Sequence, residues 1–309
     1  MGSQWVERPH HGRRADSEER DHRAEGEADL LEQLNPVRGR ERMQDGTVDQ
    51  ARDVRLSFNQ AAETYDEVRP SYPARLFDAL FRMLPPRPEI VEVGPGTGQA
   101  TKDLLARGAA LRAVEIGPAM AAKLRSNLPT ERLQVIVADF EEWDPPEASA
   151  DAIFSATAYH WVSPAAQTDR PARILRPGGV LAVVDLIQVE SPADRGFFAA
   201  AQPIYERYGE PHTGPPAPAR DRVDPPIRSM LKADRRFERV QVLRYDWDQT
   251  YSARAYRKLM VSYSGTQMMN QSARVGLLED MESFIEQEFD GQITRPLVVT
   301  LTTAVLSHQ

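Results

Sequence analysis

The chain contains no cysteine, which excludes a disulfide framework and any thiolate metal site. The lack also fits a reducing compartment, and the expected setting is cytoplasmic. No apolar run approaches the roughly 20 residues that span a bilayer, so no membrane partner is expected. The opening "MGSQWVERPHHGRRADSEERDHRAEGEADLLEQ" has no apolar middle of the kind a secretory signal needs. Positive charge is in deficit, with 38 Lys and Arg against 46 Asp and Glu and a formal net charge of −8. A surface built to hold phosphates is basic, so nucleic acid is not an expected partner. No His/Asp/Glu cluster shows metal-ligand spacing, and His10 and His11 fall in the N-terminal segment, so no metal is expected. A G-x-S-x-G elbow is also missing, which removes support for a Ser-His-Asp hydrolase.

What is present suits a globular protein, because 41% of residues are hydrophobic and 27% are charged. Its 309 residues allow one large domain or two small ones. Residues 1–50 are rich in Arg, Glu, Asp and Gly and cannot bury enough apolar surface to offset the entropy of ordering. They are expected to form a disordered charged tail with a short helix at "EADLLEQL", and Met43 is an alternative start of translation. Residues 51–309 are expected to form the domain. "RLSFNQAAETYDEVRPSYPARLFDALFRML" predicts a helix, a Pro-bracketed link from Arg69 to Pro73, and a second helix carrying Leu76, Phe77, Leu80, Phe81 and Leu84 on one face.

Strands and helices then alternate. Strands are predicted at Ile90–Val93, Leu111–Glu115, Leu133–Val137, Ala152–Ser155 and Val180–Leu186. Helices are predicted at Thr97–Arg107, Pro118–Asn127 and Ala165–Leu175, with "RPGG" at 176–179 as a helix stop and turn. Short, nearly continuous apolar strands separated by helices suit a parallel sheet covered on both faces. Residues 190–226 are too Pro-rich for regular structure and read as an insertion, either a mobile cover or a linker. Arg239–Tyr245 is a sixth strand candidate. Ser252–Tyr263 and Arg274–Phe289 are helix candidates, and "ITRPLVVTLTTAVL" is a final strand.

The first strand breaks at "EVGPGTG", which places Gly94, Gly96 and Gly98 where the strand turns into a helix. A ligand-free tight turn explains one or two of these glycines. A dinucleotide loop prefers G-x-G-x-x-G, and Gln99 stands where its last glycine belongs. An S-adenosylmethionine site is the third reading. Its ligand carries no phosphate, the loop lets the backbone approach closely, and Glu115 at the end of the next strand is placed to accept both ribose hydroxyls.

"VEVGPGTGQAT", "AVEIGPAM", "VIVADFEEW", "SATAYHWV" and "ILRPGG" occur in this order and spacing. Together they resemble the class I S-adenosylmethionine-dependent methyltransferases, nearest to the small-molecule group that includes trans-aconitate methyltransferases and the broad type 11 set. The resemblance covers residues 55–187 well and the C-terminal third loosely. It implies an α/β fold, a Rossmann-like doubly wound sheet that is mostly parallel with an antiparallel last strand. It also implies S-adenosylmethionine as cofactor, with Gly94, Gly96 and Gly98 at the amino-acid end and Glu92 reaching the amino group. Glu115 would take the ribose hydroxyls and Ile116 would pack on the adenine. Asp139 would accept from the adenine amine beside Phe140, and Ala156 and Thr157 would line the floor near the sulfonium. As a plain turn residue, Asp139 would need no ligand.

Methyl transfer asks the protein mainly for alignment. A carboxylate acceptor needs no base, whereas a hydroxyl or amine is helped by one. Acceptor-side candidates are Tyr65, Arg69 and Tyr72 before the sheet, Tyr159, His160 and Trp161 after the fourth strand, and Tyr263 and Ser264 later. His160 is a base or donor to the acceptor, or a residue that positions its loop. Arg69 is a carboxylate clamp, or a surface partner of Asp66 or Glu67. The expected function is methyl transfer to a small molecule, with O-methylation of a carboxylate or hydroxyl favoured over N or C. The alternatives are an NAD-type oxidoreductase and a non-catalytic cofactor-binding module.

Overall fold

The computed structural model describes residues 71–209 and 217–308. The tail at 1–50, the first helix and two candidate residues, Tyr65 and Arg69, lie outside the described residues. The chain enters at α1 (Ala74–Phe81), whose Leu76, Phe77 and Leu80 are fully buried as their spacing predicts. Five strands with intervening helices follow: β1 (Glu89–Val93), α2 (Thr101–Ala106), β2 (Ala110–Glu115), α3 (Pro118–Asn127), β3 (Leu133–Val137), β4 (Ala150–Ala156), α4 (Ala166–Ile174) and β5 (Leu175–Gln188). Then come α5 (Phe197–Ala200), α6 (Gln202–Arg207), α7 (Pro226–Ala233), β6 (Phe237–Asp246), β7 (Gln249–Ser252), α8 (Ala253–Val261), α9 (Ser264–Met268), α10 (Gln271–Glu288), β8 (Gln292–Arg295) and β9 (Leu297–Leu306).

The main sheet has seven strands in the order β3-β2-β1-β4-β5-β9-β6, with β1 to β5 mutually parallel. β9 runs antiparallel to both β5 and β6 and lies between them. The expected sheet, with its reversed last strand, is therefore present. The order reverses direction at β1, the switch point where open α/β sheets leave a crevice outside the strands' carboxyl ends. One face packs under α1 and α2, using Ile90, Phe154 and Ala182. The other packs under α4 and α7, using Val91, Ile153 and Val183. This strand alternation is the physical cause of the continuous apolar runs in the sequence.

Four local expectations need correction. The second helix starts at Thr101 and not at Thr97, because Gly98 has φ +108°, a conformation no α-helix contains. "RPGG" is not a free turn, since β5 already begins at Leu175, which pairs with Ala150 before a register shift. The 190–226 segment is partly regular, because "FFAA" and "QPIYER" form the short helices α5 and α6 despite the surrounding prolines. "ITRPLVVTLTTAVL" makes two strands divided at Pro296, which has no N–H for a ladder, and β8 pairs with β7 in a separate ribbon.

α5, α6, α8, α10 and the β7–β8 ribbon form a second apolar cluster that shares no residue with either face of the sheet. Phe197 is its centre, fully buried and in ring contact with Phe198, Tyr256, Phe284 and Phe289. α6 comes so close to α10 that a Cβ on Gly276 would lie 2.5 Å from the Tyr208 ring. The Tyr208 hydroxyl donates to Asp280 at 2.8 Å.

Candidate functional site

The loop after β1 is held from three sides. Gly94 N–H continues the β1–β2 ladder by donating to Val114 O at 3.0 Å, and Gly98 N–H closes a turn onto Pro95 O at 3.1 Å. Asn127, the last residue of α3, donates to Thr97 O at 3.0 Å. Gly94, Gly96 and Gly98 all have positive φ (+65°, +58° and +108°). The reason for two of them differs from the clearance expected around a ligand. A Cβ on Gly94 would stand 2.5 Å from Ala158 Cβ, and one on Gly98 would stand 2.9 Å from Leu124 Cδ1. These glycines let the loop pack against its own protein, in a conformation that L side chains adopt only at a cost.

Glu115 ties the same loop to α3. Its carboxylate accepts from Gly96 N–H at 3.0 Å through Oε2 and from Gly117 N–H at 2.8 Å through Oε1. Gly117 is the N-cap of α3, so the charge lies at a helix N-terminus. Burial raises the Glu115 pKa, while N–H donors from Gly117, Gly96 and Ile116 pull it back. The two carboxylate oxygens offer four acceptor positions between them, and these three donors leave one open.

Glu92 lies in β1, two residues before Gly94, and is 1% exposed. Its Oε2 has no hydrogen-bond partner, nor has the neighbouring Thr101 hydroxyl. Burial pushes its pKa up to about 8. Thr101 nearby lowers it slightly, and Glu115 adds a small upward push. An orphaned acid buried beneath a glycine loop is an unmet demand for a donor or a cation. That demand fits an α-amino group, and the open acceptor position of Glu115 fits a sugar hydroxyl. The chemistry of the residues present therefore suits S-adenosylmethionine.

β4 ends at Ala156, and Thr157 follows with φ +55°. A β-branched residue in that region is strained by about 1–3 kcal/mol. It is held there by its N–H on Val184 O at 2.8 Å and by its hydroxyl, which is bonded to Ala156 O at 2.8 Å and to Tyr72 OH at 3.1 Å. Tyr72 thus reaches the rim from before α1, although the sequence ranked Tyr65 and Arg69 above it.

The next turn carries Tyr159, His160 and Trp161 in a single 3-10 turn. Pro171 lies inside α4 and has no N–H to offer Gln167 O. The Tyr159 hydroxyl donates to that carbonyl instead, at 2.7 Å. Gln167 Nε2 returns bonds to Tyr159 O and Val162 O at 3.2 and 2.9 Å. This clamp fixes the turn and brings the His160 and Trp161 rings to 5.0 Å between centroids. Both rings are half-buried.

The remaining cofactor candidates divide. Ile116 and Asp139 are half-buried at the ends of β2 and β3. Asp139 Oδ1 accepts from Glu141 N–H at 3.0 Å, so its turn-forming role is real whatever else it binds. Phe140 is 4% exposed and packs into the α4 face with the Arg170 guanidinium over its ring, so it is a core residue behind the rim. Ala156 is half-buried on the α1 face.

Sequence reading missed Asp185. It follows four buried residues of β5 and takes the position beside Thr157, one step past the Ala156–Val184 pair. No side chain among the described residues hydrogen-bonds to it, and burial pushes its pKa up to about 6. The available signal was one acid within "VLAVVDLIQ", an otherwise unbroken apolar strand.

Comparison with known proteins places these features in a family. Residues 91–183 match the family described as a methyltransferase domain. An uncharacterised methyltransferase of Mycobacterium tuberculosis H37Rv is 39% identical over 133 residues, which are 43% of this chain and 53% of that protein. The chain thus spans about half the length of this relative. The biotin biosynthesis bifunctional protein of Cellvibrio japonicus is 34% identical over 130 residues, or 41% of this chain and 26% of that protein. Among solved structures, a protein assigned as a type II methyltransferase from Anaeromyxobacter dehalogenans superposes with a TM-score of 0.52 at 22% identity. It covers 78% of this chain and 99% of its own. These likenesses do not single out the trans-aconitate group. From residue 91 to residue 183, and in the order of its strands, the chain carries a class I methyltransferase domain of the kind whose cofactor is S-adenosylmethionine.

Proposed function

We propose that this protein transfers a methyl group from S-adenosylmethionine to a small-molecule acceptor, in a cytoplasmic setting. The observation that carries the reading is the buried Glu92 carboxyl, its Oε2 without a partner, beneath a loop that Glu115 ties to α3. The cofactor supplies a methyl on a sulfonium, which is already a good leaving group. The chain supplies position. Glu92 takes the amine and Glu115 the sugar, Ile116 and Asp139 flank the base with Phe140 packed behind them, and Ala156 and Thr157 form the floor under the reacting end. Tyr72, His160 and Trp161 wall the acceptor side, where water must be kept out of the line of attack.

We favour an oxygen acceptor. For a carboxylate no base is required. For a hydroxyl, His160 and Asp185 are the groups at this rim that can take the proton, and the high proton affinity of Asp185 suits that task. Tyr65 and Arg69 stay as sequence candidates for the same wall. No helix among the described residues is long and apolar enough to cross a membrane.

Calorimetry tests the cofactor site. A Glu92 held near pKa 8 is mostly protonated at pH 7 and must ionise to pair with an ammonium. Binding of S-adenosylhomocysteine at pH 7 is therefore expected to release close to one proton, read from buffers of different ionisation enthalpy. Glu92→Gln should release none. Binding of NADH without S-adenosylhomocysteine would overturn the reading in favour of an oxidoreductase. Turnover is tested with methyl-labelled cofactor and a fractionated small-molecule extract. Label is expected in the small-molecule fraction, and tight cofactor binding with no label in any fraction would leave a non-catalytic module.

A further inference from the structure

Arg295 closes β8 at the carboxyl end of β5. Its Nη1 donates to the Tyr263 hydroxyl at 2.7 Å and its Nη2 to Gln188 Oε1 at 3.1 Å. Its Nε is sealed from solvent and has no hydrogen-bond partner. A guanidinium has five N–H donors in a planar fork, so beyond these two bonds Nη1 and Nη2 each keep one further N–H to offer. The surroundings are phenolic: Tyr205, Tyr251, Tyr256 and Tyr263 act on it, and Tyr205 and Tyr256 share a hydroxyl contact of 3.3 Å. Burial works most strongly against its charge, the surrounding phenols act the other way, and the net push on its pKa is upward.

No carboxylate among the described residues pairs with it. Arg107, Arg173, Arg176, Arg220, Arg236 and Arg257, by contrast, each hold an Asp or Glu, while Arg170 shares with Arg295 a buried Nε without a partner. Enclosing a cation without its counter-charge is costly, and the cost is recovered only when an anion arrives. Position narrows what that anion is. Val184 of β5 is level with Ala156 at the rim, and Gln188 lies four residues further on. At ~3.3 Å per residue, Arg295 is held ~13 Å beyond the floor on which the methyl would be transferred.

We propose that Arg295 is the carboxylate anchor of the acceptor. Tyr263 and Gln188 hold the guanidinium flat, and its free edge pairs a carboxylate at the end of the molecule remote from the methyl-accepting atom. This deepens the methyltransferase reading and rests on it. The groups acting on Arg295 are phenols with no second cation among them, so one negative charge is matched and a phosphate dianion is not. The phenol rings around it suit an apolar body behind the carboxylate. The acceptor class is therefore an aromatic or long-chain monocarboxylic acid methylated at a distant hydroxyl or other atom.

The test titrates phenylacetate, phenylacetamide and phenyl phosphate into the protein, both ligand-free and loaded with S-adenosylhomocysteine. Phenylacetate is expected to bind about tenfold tighter than the amide, and tighter than phenyl phosphate. The Arg295 Nε–H resonance, identified by its loss in Arg295→Lys, is expected to shift with phenylacetate alone. Arg295→Gln should erase the preference for acid over amide while leaving S-adenosylhomocysteine affinity unchanged. Equal binding of acid and amide, no phenylacetate binding, tighter phosphate binding, or a preference that survives in Arg295→Gln would each overturn the anchor. The preference for acid over amide and phosphate is read in the wild type, so the test stands even if a variant folds poorly. Failure to bind S-adenosylhomocysteine would sink the methyltransferase reading instead, and the ligand-free titration still decides the anchor.

Discussion

The rim around β1 and the cluster around Phe197 solve the same problem by opposite means. At the rim, backbone does the work: positive-φ glycines, N–H groups on Glu115 and a strained Thr157 leave little choice of residue. Around Phe197, aromatic side chains fill volume, and many combinations of similar size would serve. The difference teaches where sequence likeness survives. The family match runs from 91 to 183, across the backbone-determined half, and ends before the aromatic cluster begins. The proposed cofactor site thus lies in the first region, and the proposed acceptor anchor borders the second.

The largest effect should come from the cluster. Phe197→Ala removes a fully buried ring with four ring neighbours, and about 3–5 kcal/mol of stability is expected to go with it. If the two regions are as separate as their packing, S-adenosylhomocysteine affinity of the still-folded fraction should change less than about twofold. Denaturant melts with calorimetry would show this, and a large loss of affinity would erase the distinction. Gly94→Ala tests the other side. It combines a positive-φ cost with a Cβ 2.5 Å from Ala158, together about 2–4 kcal/mol. Pairing it with Ala158→Gly should return the clash portion and leave the conformational portion, which a double-mutant cycle separates.

Glu115→Ala is expected to weaken S-adenosylhomocysteine by about 1–3 kcal/mol for each charge-assisted bond lost. It also strands the N–H groups of Gly96 and Gly117, so the melting temperature should fall with the affinity. Affinity unchanged by this substitution would refute the assigned role. The smallest effect should be at Asp185, whose folded-state pKa of about 6 is above its ordinary value. The folded protein then binds more protons than the unfolded chain between about pH 4 and 6, so stability falls as pH rises through that window. Asp185→Asn removes the ionisation, and it should stabilise the fold at pH 7 by about 1–3 kcal/mol, an advantage that disappears below pH 4. If Asp185 is the base for a hydroxyl acceptor, the same variant gains stability and loses turnover. Thermal melts across pH and initial rates read the two separately.

How much was legible follows the same divide. β3 was readable to the residue because "LQVIV" lies between a charged turn and Asp139, and α1 because its apolar face has one period. The glycine loop and both acids were legible because only backbone demands produce such a pattern. The reason for Gly94 was not, since Ala158 is far along the chain and only folding brings it near. The reversed strand was anticipated, but not that Pro296 would cut "ITRPLVVTLTTAVL" into two strands of different sheets. α5 and α6 were hidden because prolines suggested loop, while the burial of Phe197 that orders them depends on partners from α8 and α10. Arg295 was passed over because an arginine near the start of the expected final strand looks like surface until its carboxylate is found to be missing.

The position of β9 has a consequence for how the protein is made. β5 and β6 both emerge from the ribosome well before the strand that joins them, and each waits with an open edge. The nascent chain therefore passes through a stage in which its cofactor half has all its strands while two sticky edges face the cell. Chaperone demand should peak in that interval, and slower translation just upstream of residue 297 should lower the yield of native protein.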